Sequence, residues 1–176
     1  VDGTLAAGSA VSVNGGTLAG TGTANGTVSV ANLATLAAGN STNAIGTFGT
    51  GELTLNSGST TAFQISSLLG TSDRLNVAGN LNITAGALLT LSDLGAVASL
   101  APSYTLVSYT GTWNGGLYTY EGSTLTDGAQ IVLGANTYQF NYANNSAVTL
   151  TAVPEPSLAG MIGLAGLAAW GFRRRR

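Results

Sequence analysis

Apolar and polar residues alternate in short runs along the first half of the chain: Val11-Ser12-Val13, Val28-Ser29-Val30, Leu53-Thr54-Leu55 and Leu75-Asn76-Val77, then Leu81-Asn82-Ile83 and Leu89-Thr90-Leu91. A period of two puts alternate side chains on opposite faces of an extended backbone, and the Gly and Asn residues that bound the runs mark turns. The first four runs start 17, 25 and 22 residues apart, close to the spacing of about 20–45 residues found in stacked repeats. One such coil cannot bury its apolar face alone, whereas stacking buries a continuous column of Val, Leu and Ile. Backbone hydrogen bonds between coils then hold the shape without charged side chains. The pattern predicts an all-β chain in which residues 1–92 wind as a right-handed parallel β-helix, a solenoid. A β-sandwich with irregular strands is the alternative on the same runs.

From about Asp93 the texture changes, and aromatic residues arrive: Tyr104, Tyr109, Trp113, Tyr118, Tyr120, Tyr138, Phe140 and Tyr142. Residues 104–109 read as a strand, Asn114-Gly115 as a tight turn. Residues 131–133 and 137–142 read as a hairpin about Gly134-Ala135-Asn136, and 147–152 as a further strand. A solenoid needs an end that closes its apolar column, so residues 93–152 are expected to form an aromatic-rich β cap. The competing use of these rings is a ligand-binding surface; aromatics in strands more often serve packing.

Composition sharpens this picture. Charged residues are 7% of the chain, against about 25% in an ordinary soluble domain, so surface polarity has to come from Thr, Ser, Asn and Gly. Cysteine and histidine are absent, which removes disulfides, the usual zinc ligands and Ser–His or Cys–His nucleophilic pairs. There is no lysine for a phosphate-binding loop. Residues 1–152 hold one base, Arg74, and six acids; such a body has no footprint for nucleic acid. No metal or cofactor site is expected. The acids are scattered, and the one pair with catalytic promise is Glu52 and Asp73, which neighbouring coils could bring together as glycosidase chemistry requires. The plainer reading is that Asp73 pairs with Arg74 or caps a surface turn. Val1 is not a methionine and no leader pattern follows it, so either a leader has been removed or the sequence is the C-terminal piece of a longer protein.

The C-terminus is of a different kind. Val153-Pro154-Glu155-Pro156 stops any strand, because proline lacks an N–H and restricts its predecessor. Residues 158–172 carry no charge, and Arg173, Arg174, Arg175 and Arg176 end the chain. As a helix those 15 apolar residues span about 22 Å, short of a bilayer core of about 30 Å. Trp170 near the basic end suits the interface, the arginine stems can snorkel, and the positive cluster keeps that end cytoplasmic. The reading is one short transmembrane α-helix over 158–172 with the lipid bilayer as partner and the β-rich body outside. Residues 153–156 form a motif before it and 173–176 a basic tail after it. A buried core helix fits poorly with glycines at 160, 163 and 166.

These features together resemble a PEP-CTERM sorting domain, over about 24 residues of the chain. The resemblance implies export in a Gram-negative bacterium and insertion in the inner membrane through the C-terminal helix. It also implies recognition by an exosortase, a membrane-embedded cysteine protease, with Val153, Pro154, Glu155 and Pro156 as the sorting and processing motif. The mature protein would then reside at the cell surface or in extracellular matrix, associated with exopolysaccharide, biofilm matrix or like surface proteins. Upstream, residues 14–23, 36–41, 53–59 and 73–77 resemble the autotransporter-associated β-strand repeat, which implies a parallel β-helix passenger. The chain departs from that family in having no amphipathic barrel strands afterwards. The expected function is that of a structural or adhesin-like surface protein, not an enzyme. The alternatives are a displayed β-helix polysaccharide lyase or hydrolase, and a permanently anchored single-pass protein.

Overall fold

The computed structural model describes residues 1–39, 44–95, 103–142 and 146–154. Within them the chain is all β. Its strands come in successive rounds of three: β1 (Thr4–Leu5), β2 (Val11–Val13) and β3 (Gly16–Gly20); β4 (Thr23–Ala24), β5 (Val28–Val30) and β6 (Ala34–Ala38); β7 (Thr47–Thr50), β8 (Leu53–Leu55) and β9 (Thr60–Ser66). A short β10 (Thr71–Ser72) turns back on β9, and a fourth round follows with β11 (Arg74–Val77), β12 (Leu81–Ile83) and β13 (Leu88–Asp93). The remainder is β14 (Ser103–Tyr109), β15 (Thr119–Tyr120), β16 (Ser123–Thr124), β17 (Gln130–Leu133), β18 (Asn136–Asn141) and β19 (Ala147–Ala152).

Each member of a round joins its own sheet, and in all three sheets the rounds pair in parallel. The first sheet stacks β1, β4, β7, β11 and β14; the second β2, β5, β8 and β12; the third β3, β6, β9, β13 and β15. Register makes the apolar columns. Val11, Val28, Leu53 and Leu81 are successive Cα partners, as are Val13, Val30, Leu55 and Ile83. Phe48, Leu75 and Val107 continue the core from the first sheet, and Leu36, Phe63, Ile65 and Leu89 from the third. Burying one such side chain contributes about 1.5–3 kcal/mol, so the aligned columns are the main source of cohesion here.

The predicted column needs one correction. Leu75-Asn76-Val77 is not the fourth member of the series begun at Val11. It pairs with β7 in the first sheet, and Leu81-Asn82-Ile83 takes that place. The true steps are 17, 25 and 28 residues. The two triplets have the same pattern only six residues apart, and they lie on adjacent sides of one round.

The corners repeat as well. Turns closed by Ala34 N–H to Ala31 O (3.1 Å), Ser59 N–H to Asn56 O (3.0 Å) and Ala87 N–H to Thr84 O (3.0 Å) join the second sheet to the third. Their third residues, Leu33, Gly58 and Gly86, all have positive φ, at 63°, 74° and 86°. A type II turn demands this of its third residue and ordinarily fills the place with glycine.

After β14 the parallel order ends. β19 pairs antiparallel with β14, β18 with β19 and β17 with β18. The predicted hairpin is present, with Leu133 opposite Asn136, so its loop is Gly134-Ala135 and Asn136 already belongs to the strand. Of the late aromatics, Tyr104, Tyr109, Tyr118, Tyr138, Phe140 and Tyr142 are buried in the core. Asn114-Gly115 is a turn, with Gly115 at φ 80°, but it does not join a hairpin. It sits beside a parallel bridge from Leu81 to Trp113. No helix among the described residues is long and apolar enough to cross a membrane; the expected helix, residues 158–172, lies outside them.

Candidate sorting segment and the strand that presents it

The chain reaches the Val-Pro-Glu-Pro motif through β19, a strand bonded on both sides. Tyr104, Thr105 and Val107 of β14 face Leu150, Thr149 and Val148; on the other flank Tyr138 faces Ala152 and Phe140 faces Leu150. Ala147 to Leu150 are buried, Thr151 to Val153 half-buried, and Pro154 exposed. The last ladder contact is Val153 N–H to Thr137 O at 2.9 Å. The next residue, Pro154, has no N–H to give, so the ladder ends where the motif begins. Glu155 and Pro156, like Trp170 and Arg173 to Arg176, lie outside the described residues.

The strand is held from beneath by an aromatic cluster. Tyr138 meets Tyr104 edge-on at 5.8 Å, Phe140 meets Tyr142 edge-on at 4.9 Å, and Trp113 stacks on Tyr142 at 5.0 Å with planes 4° apart. The Tyr142 hydroxyl donates to Leu125 O (2.7 Å) and accepts from Tyr118 N–H (2.8 Å). Its backbone N–H is fixed on Asp127 Oδ1 (2.8 Å), and Tyr109 donates its hydroxyl to Tyr142 O (3.1 Å). Burial pushes the Tyr142 phenol up to about 12, against the Tyr118 N–H that favours its anion and together with the nearby Asp127 charge. Burial raises the Tyr118 phenol further still, though the Thr61 hydroxyl opposes this. Both phenols therefore stay neutral; the Tyr142 hydroxyl bridges two backbone groups, while the Tyr118 ring serves packing. Pairs of this kind contribute about 0.5–1.5 kcal/mol beyond area burial.

The two carboxylates singled out from the sequence do not come together. Asp73, 1% exposed, accepts Gly46 N–H on one oxygen and Gln64 N–H on the other, each at 2.8 Å. Burial holds its carboxyl above the usual aspartate range, while these two donors pull the other way. Glu52 instead accepts the side-chain amides of Asn82 (2.9 Å) and Asn80 (3.4 Å). Asp73 is level with Gly46 before β7, and Glu52 follows its far end beside Gly79. Six residues of largely extended chain, at about 3.3 Å each, put them roughly 15–20 Å apart. That exceeds the separation of about 5–10 Å in glycosidase pairs. The simpler expectation for Asp73 also changes: it caps backbone N–H groups in the interior, not on the surface.

Among the described residues no three His, Cys, Asp or Glu side chains gather as metal ligands. A groove of about 470 Å³ lies on the outer face of the third sheet. The in-register row Ala19, Ala37, Ala62 and Thr90 forms its floor, with Gln64, Ser92 and the already bonded Asp73 at its wall. Sequence reasoning missed the Tyr142–Tyr118–Leu125 network; a buried tyrosine's need for a hydroxyl partner was the available signal.

The PEP-CTERM protein-sorting motif matches residues 152–176, beginning on the last residue of β19. No curated protein and no solved structure matches the chain. The motif indicates exosortase-dependent sorting of an exported protein, with recognition by an exosortase-type membrane protease and a membrane-anchored stage before processing.

Proposed function

We propose that this chain belongs to an exported structural or adhesin-like protein of the cell surface or extracellular matrix of a Gram-negative bacterium. The successive rounds of three strands are coils of a right-handed β-helix of the autotransporter-associated type, residues 93–152 are its cap, and 153–176 is the sorting domain. Residues 158–172 cross the inner membrane with Trp170 at the interface and Arg173–Arg176 in the cytoplasm, until the protease cuts near residues 153–156. The observation that carries this reading is the continuity of β19 with the motif: a doubly bonded strand hands the chain to an exposed proline at the first residues of the matched segment. A strand so held resists fraying when its end is engaged, and Pro154, where the chain leaves it, is exposed to an approaching protease.

A neutral face of Thr, Ala and Ser supports contact with uncharged polymer or with like neighbours. The separation of Glu52 from Asp73 weighs against the lyase or hydrolase alternative. Deleting residues 153–176 tests the proposal: the protein should pass from cell-associated material to the medium. Unchanged retention would defeat it. Polymer cleavage that disappears in Glu52→Gln or Asp73→Asn would replace it with the enzymatic reading.

A further inference from the structure

Between β9 and β10 the chain reverses through Ser67, Leu68, Leu69 and Gly70. The reversal is pinned at several points. Gly70 N–H bonds Ser66 O (2.8 Å) with Gly70 at φ 66°, Leu69 N–H bonds Ser66 Oγ (3.2 Å), and Ser67 N–H bonds Asp93 Oδ1 (2.9 Å). Gly95 packs so closely on the Leu68 backbone that a Cβ there would collide with it. This fixed turn presents two adjacent leucines to solvent, Leu68 at 68% and Leu69 at 72% exposure, with Leu94 half-exposed nearby. Residues 66–72 carry no charge.

The position of the turn gives these leucines a context. Ser72 donates to Thr105 O (3.4 Å), and the pairing of Leu75 with Val107 sets Ser72 level with the start of β14. The turn extends past that level. Ser103 faces Thr151, so Ala152 and Val153 leave β19 at the same end of the sheet. Two strand spacings, about 10 Å, separate the turn from the departing tail.

We propose that the Leu68–Leu69 turn is a second membrane contact, inserting at the headgroup–acyl boundary of the bilayer that holds the tail. This rests on the reading that residues 158–172 enter that bilayer. The turn has no Lys or Arg, so the contact is apolar, needs no anionic lipid and is insensitive to salt. Two leucines alone bind a bilayer weakly. Tethered beside an inserted tail they act at an effective concentration in the range of about millimolar. The contact therefore orients the body and holds the motif at the interface for the protease, and it lapses once the tail is cut.

The absence of cysteine makes single-site labelling direct. The full chain carrying Leu69→Cys, Leu33→Cys or Leu164→Cys, each with an environment-sensitive dye, is reconstituted in phosphatidylcholine vesicles containing a lipid-borne quencher. Leu33, 84% exposed, lies at the opposite end of the third sheet and reports water. The expected result is a blue shift and quenching at positions 69 and 164 but not at 33, unchanged at high salt. Quenching at 164 with position 69 still aqueous overturns this inference and leaves the sorting reading standing. An aqueous label at 164 as well overturns both. Shielding of position 69 without lipid, growing with protein concentration, assigns the turn to a second copy of the chain and overturns the membrane contact.

Discussion

The Asn114 side chain takes the place of a further strand at Ile83: its Oδ1 accepts Ile83 N–H and its Nδ2 donates to Ile83 O, both at 3.1 Å. Together with the Leu81–Trp113 bridge this covers the β12 edge of the second sheet, where open backbone groups would otherwise invite pairing with another chain. Asn114→Ala leaves both Ile83 groups dependent on water. The expected cost is about 1–2 kcal/mol, read as a lower urea midpoint, and Asn114→Asp restores at most the acceptor half.

Leu33 and Gly58 hold equivalent corners, bonded from Leu33 N–H to Gly58 O at 3.0 Å, and both have positive φ. An L side chain in that region costs about 1–2 kcal/mol. Leu33 is exposed and gains little from packing, so Leu33→Gly should stabilise by up to about 1 kcal/mol after the added unfolded-chain entropy. Gly58→Ala should act in the opposite sense, because its Cβ would collide with the Asn32 amide oxygen. Thermal melts of the two variants should shift in opposite directions.

The Tyr142 hydroxyl joins Leu125 O to Tyr118 N–H, and all three residues are buried. Tyr142→Phe keeps the ring stack with Trp113 but strands a buried donor, at an expected cost of about 1–3 kcal/mol. Phe140→Ala removes a wholly buried ring beneath β19 and should cost about 3–5 kcal/mol. Urea unfolding followed by Trp fluorescence separates the two.

Asp73 gives a pH signature of definite sign. Its folded-state value is raised by burial, so the folded protein holds this proton more tightly than the unfolded chain does. Its contribution is present in full below the ordinary aspartate value and is lost as pH rises through the raised one. Asp73→Asn should flatten that part of the stability profile, while losing one acceptor for the Gly46 and Gln64 N–H groups. A wild-type profile that rises through this window on account of Asp73 would contradict the assignment.

Much of this architecture was legible because alternation is a direct imprint of a half-buried strand. Val11, Val28 and Leu53 do form one series, and the hairpin expected of residues 131–133 and 137–142 is present, with Asn136 in the strand instead of the loop. The fourth member was misplaced because Leu75-Asn76-Val77 and Leu81-Asn82-Ile83 are interchangeable by pattern, and only the bend between them decides which sheet each joins. Strands such as Ala34–Ala38 gave little signal, since alanine is a weak strand former and Leu36 alone marks the inward face with a large side chain. Asn114 was read as a turn residue, which it is, but its amide's part in the ladder depends on a partner 31 residues away. Glu52 and Asp73 seemed neighbours because sequence spacing counts coils but not which end of a strand each acid occupies. The sorting tail was legible for a different reason: its motif, apolar run and arginines are contiguous and need no tertiary partner to be recognised.

The most direct test of sorting at this tail is mass spectrometry of the mature C-terminus, from cells with and without an active exosortase. The account predicts a chain ending near residues 153–156 when the protease is present and one ending at Arg176 when it is absent. An intact Arg176 in both would contradict it.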